Sequence, residues 1–230
     1  MPWISKNGAL TQSEMENNAD IAISYLASQG VEENTIAAIL GNMQAESTIN
    51  PGRYEGGVGP GYGLVQWTPR SSLIEHAQNL GYSNYQDGDV QLKTILSEVL
   101  NTPSSNAEWY TTSAFISPYY NSGATSDMVG ITGQQFLSNS MGWDCNKLAI
   151  MFMAGYERPS YDPDVNHYQR RMEFAGNWLS YMGGRPPIPG GGKPIPGWSA
   201  STFIQWGAIA ESSRLLRLRR TQGGRKNAIN

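Results

Sequence analysis

Residues 183–197 read GGRPPIPGGGKPIPG, and no packed element can be built from them. Proline fixes φ and lacks a backbone donor, and glycine offers no side chain to bury, so this stretch is a linker. It divides the chain into a body over 1–182, the linker, and a tail over 198–230. Upstream of it the apolar residues recur at helical spacing, and no sustained strand-type alternation is present. Thr11, Gln12, Ser13 and Glu14 form a capping-box pattern, and Met15, Ala19, Ala22 and Leu26 follow in register until Gly30. A second helix is predicted over 33–46, with Ile36, Ile39, Leu40 and Met43 on one face. Two more are predicted over 70–80 and 89–100. Asp144 can cap a helix over 145–156 whose Leu148 to Ala154 segment is apolar all round, the mark of a buried central helix. A last helix over 166–182 carries Met172, Ala175, Leu179 and Met182 in register. Residues 50–63 and 101–131 predict loops, the second a long surface excursion. The fold class is therefore mainly α.

At 230 residues the chain holds one sizeable domain and an appendage. Cys145 is its single cysteine, which excludes an intrachain disulfide and a cysteine-based metal site. His76 and His167 are its two histidines, too few for a zinc site in the tail; they are expected to be satisfied surface or groove residues. No metal and no cofactor are expected. The first residues lack the charged and apolar regions of a signal peptide, and no apolar run is long enough to span a bilayer. The net charge is −3, unevenly spread. Arg214, Arg217, Arg219, Arg220, Arg225 and Lys226 face only Glu211 within 211–230, a local +5, which leaves −8 on residues 1–210. An acidic body argues against nucleic acid. The basic tail suits an interaction segment, a short amphipathic helix over 198–218 with its apolar stretch around 203–209, a solvated end, or what remains of a second domain.

The chemistry concentrates around Glu46. With Ile36 at 0° on a helical wheel, Ile39, Leu40 and Met43 fall within about 60°, and Glu46 at about −80°, the edge of the apolar face. A carboxyl there is half desolvated, which disfavours its charged form and suits a general acid. A solvated residue in a last helical turn is the plainer alternative. The segment Gly61-Tyr62-Gly63-Leu64-Val65-Gln66-Trp67 follows. Its glycines let backbone approach a ligand, Gln66 offers donor and acceptor, and Tyr62 and Trp67 offer flat faces for sugar rings. A turn leading into a core tryptophan would give the same pattern, but the two motifs together are more specific than either alone.

The runs Asn42–Gly52, Gly63–Pro69 and Ala149–Pro159 resemble the phage tail lysozyme family, the peptidoglycan-degrading domain at the tail tip of short-tailed phages of Gram-positive bacteria. The resemblance covers about residues 10–182. It implies a lysozyme-like fold of the superfamily that includes goose-type lysozymes and lytic transglycosylases, with 1–182 as a peptidoglycan-cleaving domain. Matched position by position, Glu46 takes the place of the catalytic glutamate. Glu46-Ser47 and Gly63-Leu64-Val65-Gln66 are similar to the superfamily's signatures, and Tyr156 to Pro159 to a block beside the cleft. Ser47, Tyr62, Gly63, Gln66, Trp67 and Tyr156 are the expected substrate-binding residues. Related tail proteins can carry a metallopeptidase after the linker; with no histidine there, no peptidase activity is expected.

The substrate so implied is the β-1,4 bond between N-acetylmuramic acid and N-acetylglucosamine in peptidoglycan strands, with Glu46 protonating the leaving oxygen. A second carboxylate is sought among Glu55, Glu157 and Asp127. Glu55 lies in the glycine loop, Glu157 reads more readily as a buried salt-bridge partner, and Asp127 lies in the excursion. Without a second acid, the substrate's N-acetyl group or its C6 hydroxyl could assist, the latter giving transglycosylase products. Expected partners are glycan strands and, through 198–230, other tail proteins. The expected location is the virion tail tip, without a signal peptide. A host-lysis endolysin and a non-catalytic wall-binding tail module are the rival readings.

Overall fold

The computed structural model describes residues 2–101 and 108–184. The linker and tail readings for 185–230 lie outside the described residues. The body is mainly helical, and no strand forms among the described residues. Helix α1 (Gln12–Ser28) opens on the predicted capping box, with Glu14 Oε2 accepting from the Thr11 backbone N–H at 2.8 Å. Helix α2 (Glu33–Ser47) is capped by Glu32, whose carboxylate accepts from Asn34 N–H at 2.9 Å. Helices α3 (Arg70–Asn79) and α4 (Gly88–Val99) fall where the apolar spacing puts them. Helix α4 starts on an Asp87 cap.

The excursion over 101–131 is not a surface loop in its described part. It forms α5 (Ser113–Ile116) and two 3-10 turns, Ser117–Ser122 and Ser126–Met128. Trp109, Ile116, Tyr119 and Met128 are buried along it. Few but large anchors, spaced without a helical period, hold polar chain onto the core, so composition misreads the segment. Helix α6 (Gly133–Ser138) follows.

Helix α7 (Cys145–Phe152), capped by Asp144, is buried as predicted. It does not stay α-helical to 156: it passes into a π-turn, Met153–Glu157, a form found preferentially at functional sites. After α8 (Pro163–Asn166), α9 (Tyr168–Gly183) closes the body. The buried seam of α9 is Arg171, Ala175 and Trp178. The predicted register through Met172, Leu179 and Met182 lies one residue to its side, where the side chains are only partly covered.

Helices α2, α7 and α9 pack together at the centre. Gly41 sets how closely α2 and α9 approach. A Cβ there would stand 2.7 Å from both Ala175 N and Arg171 O. Asn42, one residue on and fully buried, donates to Ala38 O at 2.9 Å and to Ala149 O at 3.1 Å, tying α2 to α7. The same contact brings Arg171 of α9 against the end of α2.

Candidate active site

Helix α2 ends at a sharp corner. Thr48 and Ile49 are both left-handed (φ 60° and 56°), and Ile49 is β-branched and fully buried. A β-branched residue held in that region costs on the order of 1–3 kcal/mol, sustained by the packing around it. Ser47 braces the corner: its hydroxyl donates to Leu64 O at 2.9 Å and accepts from Asn50 N–H at 3.1 Å. The turn after Glu157 has the same character, with Arg158 at φ 50°. Two chain reversals therefore present Glu46 and Glu157 to one place.

That place is a groove of ≈ 480 Å³, lined among others by Glu46, Glu55, Gln66, Trp67, Tyr156 and Glu157. Between Glu46 and Glu157 sits Arg171, 4% exposed. Its Nη2 donates to Glu46 Oε1, its Nη1 to Glu157 Oε2 and, at 2.8 Å, to Asn42 Oδ1, and its Nε to Asn166 O at 2.9 Å. Glu46 keeps 22% of its side chain exposed towards the groove, whereas Glu157 keeps 3%. Burial pushes the Glu157 carboxyl up, to about 8; Arg171 works against the rise and the neighbouring Glu46 adds to it. Glu157 Oε1 is buried with no hydrogen-bond acceptor or donor assigned to it. The salt-bridge expectation for Glu157 holds, with Arg171 rather than the adjacent Arg158 as the partner.

A second buried carboxylate lies in the groove lining. Glu98 has no exposed side-chain surface. It accepts from Trp67 Nε1 at 3.2 and 3.1 Å, from Tyr156 Oη, and pairs with His76 Nδ1. The bond to Glu98 holds His76 protonated above its ordinary range, against burial. Burial, with Glu98 close by, pushes the Tyr156 hydroxyl well above its usual value, so it stays a donor.

The remaining predicted residues divide between the groove and its frame. Gln66 lines the groove, its Nε2 donating to Gly63 O at 2.9 Å and Arg53 O at 3.1 Å. Trp67 lines it too but is 8% exposed, so little of its face is open to a sugar. Tyr62 is buried, edge-on between Tyr54 and Tyr85, and does not line the groove. Gly63 is a glycine for a packing reason: at φ 85° a Cβ would meet Gln91 Oε1 at 2.5 Å. Gln91 needs that room to accept from Leu64 N–H at 2.9 Å. Glu55 is exposed in the 3-10 turn Glu55–Gly57 and lines the groove, accepting from Gly61 N–H at 3.2 Å. Asp127 lies away from it, paired with Lys147 and 53% exposed, and Lys147 holds its carboxyl below the usual range.

Sequence reasoning missed Arg171 and Glu98. Their signal was a charged residue in a buried register: Arg171 lies four and seven residues before Ala175 and Trp178, and Glu98 three after Ile95.

The body is mainly helical, and Glu46 and Glu157 gather around one buried arginine beside a groove. Residues 17–182 match the phage tail lysozyme family, and the chain belongs to that family. Over 187 residues it is 37% identical to Morphogenesis protein 1 of Bacillus phage B103, covering 80% of this chain and 44% of that protein. The chain thus spans less than half the length of that relative. Among the described residues no helix is long and apolar enough to cross a membrane.

Proposed function

We propose that this protein is a virion-associated peptidoglycan hydrolase that cuts the β-1,4 bond between N-acetylmuramic acid and N-acetylglucosamine during cell-wall penetration, with Glu46 as general acid. The observation that carries the reading is Glu46 itself: it is the half-buried carboxyl at the end of α2, facing the groove in a chain of the phage tail lysozyme family. Its proton goes to the leaving glycosidic oxygen as positive charge builds on the sugar ring. Gln66 and Trp67, both in the groove lining, are the proposed contacts to the strand. The relative's name supports a role in the virion, and the basic 198–230 segment is the proposed contact to other tail proteins.

For the far face of the sugar, Glu55 is the carboxylate to which the geometry lends most support. Glu157 shares Arg171 with Glu46 and keeps only 3% of its side chain exposed, which leaves a sugar or a water little access to it. Asp127 is outside the groove.

The test is loss of turbidity of purified Gram-positive walls. Glu46→Gln should slow clearing by about 10²–10⁴-fold, the usual contribution of a general acid. Equal clearing by both proteins removes Glu46 from the chemistry, and no clearing by either points to a wall-binding module. Mass spectrometry of the released fragments then separates hydrolysis (reducing ends) from transglycosylation (anhydro ends). Finding the protein in purified virions rather than only in late lysates separates a tail enzyme from an endolysin.

A further inference from the structure

We propose that Glu46 and Glu157 hold one proton between them over Arg171, and that Glu157 is a positioning residue that keeps this proton available to Glu46. The inference rests on Glu46 acting as the acid, and it answers a difficulty in that assignment. An arginine bonded directly to a carboxyl favours the ionised form, the wrong form for a proton donor. Charge counting at the site resolves it. Arg171 contributes +1 and is buried, as is Glu157. With one carboxyl protonated the cluster is neutral. With both ionised it carries −1 in a place from which water is nearly excluded, and such an uncompensated charge is costly.

The hydrogen-bond geometry points the same way. Arg171 spends one nitrogen on each carboxylate, and Asn42 and Asn166 take up two further donations. Glu157 Oε1 is left buried with nothing donating to it. A proton held on the pair lowers the charge that this unpaired atom would otherwise carry in a buried place. The raised titration of Glu157, caused first by burial, agrees. The other charged groups near this pair do not neutralise it. Tyr156 stays neutral and is bonded to Glu98, and Arg158 donates to Glu108 at 2.5 Å. Arg53 and Glu55 also line the groove and contribute opposite charges.

The step balances. The O–H bond of Glu46 breaks, a new O–H bond forms on the leaving glycosidic oxygen, and the electron pair of the C–O bond leaves with that oxygen. The cluster passes from neutral to −1 as the ring becomes positive, which favours the transition state over the ground state. Attack by water on the ring carbon returns a proton to the cluster.

The test uses the full chain. Glu157→Gln keeps shape and hydrogen bonds but removes one negative charge. Losing the Glu46 proton then takes the cluster from +1 to neutral, so the proton should leave more readily. The alkaline limb of wall clearing should move to lower pH by at least about one unit, roughly a tenfold loss at the pH of the wild-type limb, with activity recovered near pH 5. Infrared titration supplies a readout on the wild type alone: a protonated carboxyl band should persist at pH 7, and both Glu46→Gln and Glu157→Gln should lack it. No such band in the wild type at pH 7 overturns the proposal, as does a folded Glu157→Gln protein with an unmoved limb. Full clearing by Glu46→Gln would instead remove the assignment of the acid, while the band would still report the shared proton.

Discussion

Glu98 is an ionisable side chain with no exposed surface, and the three groups that hold it, Trp67, Tyr156 and His76, all line the groove. Replacing it by leucine would strand an indole N–H and a phenol in a buried place and take from His76 its carboxylate partner. Each stranded donor costs about 1–3 kcal/mol, and breaking a buried ion pair from one side about 3–5 kcal/mol. Glu98→Leu should therefore lose on the order of 3–5 kcal/mol, read as a fall in the denaturant midpoint at unchanged slope. Asp127 is the control. Its pair with Lys147 is half exposed, and pairs of that kind contribute about 0–1 kcal/mol. Asp127→Asn should leave both the midpoint and wall clearing close to wild type; a large loss of clearing would restore it as a candidate carboxylate. Glu46 could be picked out in the sequence because its neighbours Ile36, Leu40 and Met43 define a face on its own helix. Arg171, 125 residues further on, could not be joined to it, since nothing within α2 encodes which residue of α9 will face it.

At the scale of elements, the contact of α2 with α9 decides whether the site exists. Gly41 permits it, and the atoms a Cβ would strike are backbone atoms of Ala175 and Arg171, which cannot turn aside as a side chain tip can. Gly41→Ala should cost about 1–3 kcal/mol by overpacking. Because one of the struck atoms is the carbonyl of Arg171, it should also displace the guanidinium. Clearing at a temperature where the variant is fully folded should then fall several-fold, and clearing in proportion to folded protein would count against a positional effect. The helices themselves were legible. A capping box starts α1, Asp144 starts α7, and apolar spacing places α2 and α4. What resisted was the segment after α4, where Trp109, Tyr119 and Met128 anchor short turns without a period, and the seam of α9, where the buried position is filled by an arginine. Periodicity finds faces that are apolar; a face made polar because it carries a site is hidden from it.

The whole molecule should record these buried charges as a dependence of stability on pH. Glu157 titrates near 8 when folded against about 4.5 when free, and His76 above its ordinary 6.5. Both groups bind protons more tightly in the folded state than in the unfolded chain. Stability from such groups is present in full below the unfolded value and is lost as pH rises through the folded one. Glu157 therefore withdraws its share between about pH 4.5 and 8, and His76 begins to withdraw above 6.5. Asp127 and Glu14, both held below their usual values by lysines, act in the other direction and only on the acid side, where protonation breaks their pairs. The melting temperature should thus be highest near pH 5 and fall towards pH 8. General self-repulsion of an acidic body also grows with pH, so the slope alone is not diagnostic. The variants are: Glu157→Gln should flatten the fall across its whole span, and His76→Gln only the part above about pH 6.5. Calorimetric melts at pH 5, 6.5 and 8 measure both. If the fall persists undiminished in the two variants, neither carboxylate pair keeps its proton on folding, and the charge count around Arg171 is wrong.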